Sequence, residues 1–174
     1  MTWILLAAIV MMFVALASSY IFLSGDKEWQ PVRMPGTFTL STGLILISSA
    51  TMEAARRRLR QEDNRRYARW LLLTLVLGLT FVGSQLLGWK QLVAEGVYLS
   101  GNPHSSFFYL FTGAHGIHLF GGLVAVSYLT MRARRVLVGV ANEKRLAATD
   151  AVSLYWHFMD GLWVCLFFLL LLWK

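Results

Sequence analysis

Four side chains in this 174-residue chain could do acid–base or ligand chemistry within apolar surroundings: His115, His118, His157 and Asp160. His115 and His118 are three residues apart, and so are His157 and Asp160. That spacing puts each pair on one face of a helix. Two such faces can close on one another, and an imidazole beside a carboxylate offsets the penalty that hydrocarbon places on an isolated charge. The chemistry open to them is a proton relay, a haem or metal site, or a polar lock between helices. A bis-histidine haem needs imidazoles on opposite sides of one iron. His115 and His118 stand side by side, and His118 and His157 differ in depth by about 10 Å at 1.5 Å per residue. Zinc needs a more compact ligand set, and Cys165, the lone cysteine, rules out an intrachain disulfide and any four-cysteine centre. No metal is expected. A direct or water-bridged His118–Asp160 contact is, since the two lie about 19 Å and about 13 Å from the same end of their spans.

The elements that must carry these groups are membrane helices. Hydrophobic residues make up 57% of the chain and charged residues 14%, against about a quarter charged in a soluble domain. A spanning helix needs roughly 20 mainly apolar residues. Five stretches qualify, over about 3–23, 37–55, 70–89, 107–131 and 151–173, which predicts one all-α transmembrane domain over residues 1–174. The first lacks a basic lead and is longer than a signal peptide's apolar run, so it is read as a retained helix. The second is the weakest, rich in Ser and Thr and with Glu53 near its end.

The net charge of +7 could point to nucleic acid, but its distribution points to topology. Twelve of the sixteen Lys and Arg residues fall in the stretches between helices two and three and between helices four and five; the others are Lys27, Arg33, Lys90 and Lys174. The positive-inside rule then predicts a cytoplasmic N-terminus and an external C-terminus. Arg56, Arg57 and Arg58 can also reach anionic lipid headgroups. Gly113, Gly116, Gly121, Gly122 and Ala125 thin one side of helix four, which predicts close helix packing there, with a cavity for a lipid tail or cofactor as the alternative. A small proton-coupled transporter fits less well, because five helices show no internal repeat.

The run Phe107 to His118, FFYLFTGAHGIH, followed by Gly121 and Gly122, resembles the "TG-x-HG-x-H…G" helix of cytochrome c oxidase subunit III. The run Tyr155 to Trp163, YWHFMDGLW, is similar to that family's "YWHFVD-x-x-W" helix. Fainter likenesses are Leu44–Thr51 with the family's small-residue segment, Gln85 and Trp89 with "Q-x-x-E-W", and Phe13 and Tyr20 with the first helix of the short, five-helix bacterial form. Two positions depart from the pattern: Ile9 and Gly88 stand where the family often has glutamates. A role resting on the first carboxylate is therefore not carried over.

The resemblance implies an auxiliary, non-catalytic subunit of a haem–copper terminal oxidase in the bacterial inner membrane. It implies docking on subunit I, haem and copper held by partner subunits, bound phospholipid, and support of proton uptake and enzyme durability. A related quinol oxidase or nitric oxide reductase complex is the alternative. The family's lipid cleft would here lie between helices one and two on one side and three to five on the other, with Ser18, Ser19, Ser41 and Thr42 along it.

Overall fold

The computed structural model describes residues 2–24, 36–99, 103–135 and 143–172, and Lys27, Arg33, Trp173 and Lys174 lie outside them. The described chain is all helical: α1 (Thr2–Leu23), α2 (Gly36–Arg60), α3 (Asn64–Ala94), α4 (Pro103–Arg135) and α5 (Glu143–Leu172). All five are long and apolar enough to cross a membrane. The spans expected from sequence fall within or at the edges of these helices. Helices α2, α3, α4 and α5 overshoot them at one or both ends: α4, with 33 residues, is about 50 Å long against a hydrocarbon core of about 30 Å. A helix satisfies its own backbone groups whether lipid or water surrounds it, so it need not end where hydropathy does.

The tightest pair is α2 with α3. Phe38, Ser41, Ile45, Ser48, Met52, Ala55 and Leu59 are buried on α2, at alternating steps of three and four. Tyr67, Leu71, Thr74, Gly78, Phe81, Gly88 and Leu92 are buried on α3 at the same rhythm. This is the seam of an antiparallel coiled-coil-like pair. Hydroxyls bind across it: Thr51 Oγ1 lies 2.8 Å from Thr74 Oγ1, and Gln85 Nε2 donates to Ser41 Oγ at 2.8 Å. A turn of three residues closes the hairpin. Glu62 takes a left-handed backbone (φ 60°), Asp63 N–H reaches back to Arg58 O at 3.0 Å, and the Asp63 carboxylate caps α3 by accepting from Arg66 N–H.

Helix α5 packs on α2 and α4, α4 packs on α3 and α5, and α1 packs on α4 and α5 alone. The α1 stripe Leu6, Ile9, Phe13 and Tyr20 is buried, with Tyr20 wedged edge-on against Phe107 and Phe111. Because α1 and α2 do not pack together, the cleft expected between an α1–α2 unit and the rest is not formed among the described residues. The reason is the α2 seam, which turns its small and hydroxylic residues to α3 and α5. Ser41 is fully buried there, while Ser18 and Ser19 are satisfied by their own helix through Val14 O and Ala15 O.

Both arginine-rich stretches gather at one end of the bundle. Arg56 of α2 reaches Asp150 of α5, Tyr67 of α3 meets Thr149 at 2.8 Å, and Thr2 and Trp3 of α1 line a cavity with Arg56 and His157.

Candidate functional site

Trp156 sits where four helices meet. Its side chain is fully buried, and its indole N–H donates to Ser48 Oγ of α2 at 3.2 Å. One edge of the ring lies against Gly78 of α3, where an added Cβ would come within 2.9 Å of it; another lies against Gly122 of α4, where a Cβ would stand 3.3 Å away. The two glycines thus make room for the largest side chain in the bundle. Tyr155 joins the same junction by donating from its hydroxyl to His118 O of α4 at 2.8 Å.

From this hub an antiparallel register of polar contacts runs along α2 and α5. Trp163 Nε1 donates to Thr42 Oγ1 at 3.1 Å. Ser49 Oγ and His157 Nδ1 are 2.5 Å apart, and His157 Nε2 stands 3.9 Å from Glu53 Oε2. Glu53 then accepts from Arg57 at 3.0 Å and Arg56 at 3.4 Å. Arg56 Nε donates to Asp150 Oδ1 at 2.6 Å, and Arg60 Nη2 to Asp150 Oδ2 at 3.1 Å. The hydrogen bond to Asp150 keeps the Arg56 guanidinium protonated, raising its pKa. Burial alone would raise the Asp150 carboxyl, but hydrogen bonds from Arg56 and Arg60 outweigh it and hold the group below its ordinary value.

The four chain-interior polar groups do not converge as their spacing suggests. His115 is buried between Phe81 of α3 and Trp163 of α5, with ring centroids 6.3 and 5.1 Å away. His118 turns to α1, edge-on to Phe13 at 6.0 Å, and donates from Nδ1 to Ala114 O at 2.7 Å. His157 belongs to the α2 seam. Asp160 is 2% exposed; Ser49 acts on its carboxyl, yet neither oxygen has a hydrogen-bond partner in good geometry. A direct His118–Asp160 contact is not made among the described residues, since His118 turns to Ala114 O and Phe13. Three residues along a helix turn a side chain by about 60° the short way round, enough here for His115 and His118 to face different neighbours. Among the described residues, no three His, Cys, Asp or Glu side chains are grouped to hold a metal ion.

Arg56, Arg57 and Arg58 divide by role. Arg56 is the clamp to α5. Arg57 and Arg58 line a cavity of about 550 Å³ with Glu53, Gln61 and Trp70, and Arg58 also lines a neighbouring one with Arg66, Arg69, Trp70 and Leu73. Arg58 donates to Gln61 at 3.0 Å. Sequence reasoning missed Ser48, Ser49, Glu53 and Asp150 as seam partners. The signal was present in the buried positions of α2, which recur every three and four residues through Ser41 and Ser48 and so carry hydroxyls into the core.

A buried helical seam built on paired indoles, within five helices long and apolar enough to cross a membrane, defines a polytopic membrane protein. The chain belongs to the cytochrome c oxidase subunit III family, whose model matches residues 3–174. It is 32% identical over 171 residues to a probable cytochrome c oxidase subunit 3 of Nocardia farcinica, covering 95% of this chain and 83% of the relative. It is 29% identical to cytochrome c oxidase subunit 3 of Thermostichus vulcanus, covering 92% and 79%. A probable quinol oxidase subunit 3 of Staphylococcus saprophyticus is 30% identical, covering 95% and 83%. Both family departures have a physical setting here. Ile9 lies in the buried α1 stripe. Any side chain at Gly88 would collide with Phe38, whose ring lies 2.6 Å from where its Cβ would be.

Proposed function

We propose that this chain is the auxiliary, non-redox subunit III of a haem–copper terminal oxidase in a bacterial inner membrane. It docks on catalytic subunit I, lends it durability and supports its proton uptake, while haem and copper reside in partner subunits. The observation that carries the reading is how the family's α5 run is used. Tyr155, Trp156, His157 and Trp163 all bind neighbouring helices, and such a use supports scaffolding over ligand chemistry. The N-terminus and the arginine-rich end face the cytoplasm, in line with the positive-inside bias. There Arg57, Arg58, Arg66 and Arg69, beside Trp70, offer a phosphate of an anionic phospholipid a basic rim at the level where headgroups lie.

The relatives named quinol oxidase subunit 3 support a second reading of the electron donor, in which the partner enzyme oxidises quinol. A tagged chain purified from its native membrane tests both. Co-purification with a haem-bearing subunit, while the isolated chain shows no Soret band and no stoichiometric copper, is the expected result. A haem band in the isolated chain would overturn the non-redox assignment. Turnover of the captured complex with reduced cytochrome c against quinol assigns the donor.

A further inference from the structure

A second feature lies between α3, α4 and α5 and borders the polar seam at Trp163. Phe81, Gln85 and Trp89 of α3, Thr112, His115 and Gly116 of α4, and Trp163 of α5 line a cavity of about 340 Å³. Its mouth is flanked by Leu86, Ile117 and Phe120, which are 52%, 75% and 68% exposed on the outer surface of the bundle. Among the described residues, no Asp, Glu, Lys or Arg side chain lines it. The walls are mainly apolar and include the rings of Phe81, Trp89, Phe120 and Trp163, yet they hold three buried polar side chains with atoms that lack hydrogen-bond partners among the described residues: both His115 ring nitrogens, Gln85 Oε1 and Trp89 Nε1.

These groups have defined hydrogen-bonding senses. The Trp89 indole only donates. Ser41 Oγ gives its proton to Phe38 O and so accepts from Gln85 Nε2, which fixes the amide and leaves Gln85 Oε1 as a free acceptor. A neutral His115 ring offers one donor and one acceptor. An unpaired polar group in an apolar interior is penalised by roughly 1–3 kcal/mol, so three in one wall mark an incomplete environment. Water suits the mouth poorly, since the route to it is hydrocarbon. A phospholipid headgroup suits it no better, because no cation faces a phosphate there and a charge at that depth is expensive.

We propose that this groove binds a neutral, lipid-soluble ring compound of the quinone or quinol class, entering sideways from the bilayer. Its ring stacks among Trp89, Phe81 and Trp163, and its oxygens meet Trp89, His115 and Gln85. The oxidised ring accepts from the indole and imidazole, and the reduced ring also donates to Gln85 Oε1. The polar atoms lie within the wall, so the site forms by side-chain rotation on binding. The size and the mainly apolar lining match those of small-molecule sites. Gly116 is the opening that makes the groove: a Cβ there would meet nothing within 4 Å. Binding, with no electron transfer, is what the residues support.

Native membranes containing the full chain are to be irradiated with an azido-benzoquinone bearing a decyl tail, and the labelled peptides mapped. Labelling is expected within 81–89 and 112–120, suppressed by excess unreactive decyl-benzoquinone and not by added phospholipid. Gly116→Val, which fills the groove, lowers it about tenfold, equivalent to about 1.4 kcal/mol of lost binding. Gly43→Val, at another open position, leaves it unchanged. Label spread over exposed residues of all five helices, or label that decyl-benzoquinone does not displace, overturns the proposal and makes the groove a slot for acyl chains. Absence of label in the groove overturns it as well, a partner helix then being the cover. If Gly116→Val fails to accumulate, displacement in the unaltered chain decides alone.

Discussion

The Trp156 junction makes a quantitative prediction about Gly78. Changing Gly78 to Ala adds one methyl group, 2.9 Å from Leu123 Cδ2, 2.9 Å from Trp156 Cη2 and 3.1 Å from Trp156 Cζ2. Leu123 is a flexible side-chain end and can yield. Trp156 cannot: it is fully buried, hydrogen-bonded to Ser48 and backed by Gly122. Overpacking of this kind costs about 1–3 kcal/mol. Alanine's helix preference over glycine offsets about 1 kcal/mol, which leaves a net loss of about 0–2 kcal/mol and places Gly78→Ala about 1–3 kcal/mol below alanine at an open glycine. Gly43 and Gly161 supply the control, because a Cβ at either meets nothing within 4 Å. Alanine there should be neutral or stabilising by up to about 1 kcal/mol. The assay is reversible unfolding of the purified chain in mixed micelles by added SDS, followed by circular dichroism. Trp156→Phe supplies a cycle: combined with Gly78→Ala it should lose about 0.5 kcal/mol or more less than the two single losses together, since the clash needs both partners. If Gly78→Ala matched Gly43→Ala in stability, the junction would not be tight and the hub reasoning would fail.

At the arginine-rich end, Asp150→Asn should weaken the α2–α5 clamp by about 1 kcal/mol or less, because the pair is partly exposed and screened, with added salt shrinking the difference. Since the folded carboxyl is held below its ordinary value of 3.8, its contribution is full above about pH 4 and fades as pH falls further; SDS unfolding at pH 6 and pH 3.5 should show the variant losing less on acidification. Asp160→Asn should leave assembly into the complex nearly unchanged, as the amide oxygen can keep the contact with Ser49; a collapse of turnover with assembly intact would place Asp160 in a proton path. Arg57→Gln with Arg58→Gln should lower phospholipid retention in native mass spectrometry while sparing the Arg56 clamp, and unchanged retention would reduce these arginines to topology signals. Glu62→Gly should stabilise the α2–α3 hairpin by about 0.5–1 kcal/mol, since glycine takes the left-handed backbone without strain, and an unaltered unfolding midpoint would count against that turn.

The five helices were legible because each must hide its backbone from lipid, and twenty apolar residues are hard to misread. The site was less so. Spacing placed His157 and Asp160 on one face of α5 but could not say which neighbour that face meets. The Ser and Thr content of α2 read as a weak span, when it is the polar half of the α2–α5 seam. The glycines of α4 divided for reasons only packing reveals. Gly122 makes room for Trp156 and Tyr155, as close packing predicts, whereas Gly116 opens a groove, the alternative reading of the same stretch.

The isolation of α1 bears on the order of assembly. Helix α1 leaves the ribosome first, but its packing partners are α4 and α5, and α4 starts at Pro103, roughly 80 residues after α1 ends. At a synthesis rate of about 5–20 residues per second, α1 waits about 4–16 s before any of its contacts exist. The α2–α3 hairpin meets no such delay and can zip while synthesis continues. Helix α1 therefore precedes α2 and α3 in synthesis but follows them in packing. During that interval its buried stripe, Leu6 to Tyr20, faces lipid or the insertion machinery, which makes the nascent chain most open to wrong partners before α4 emerges.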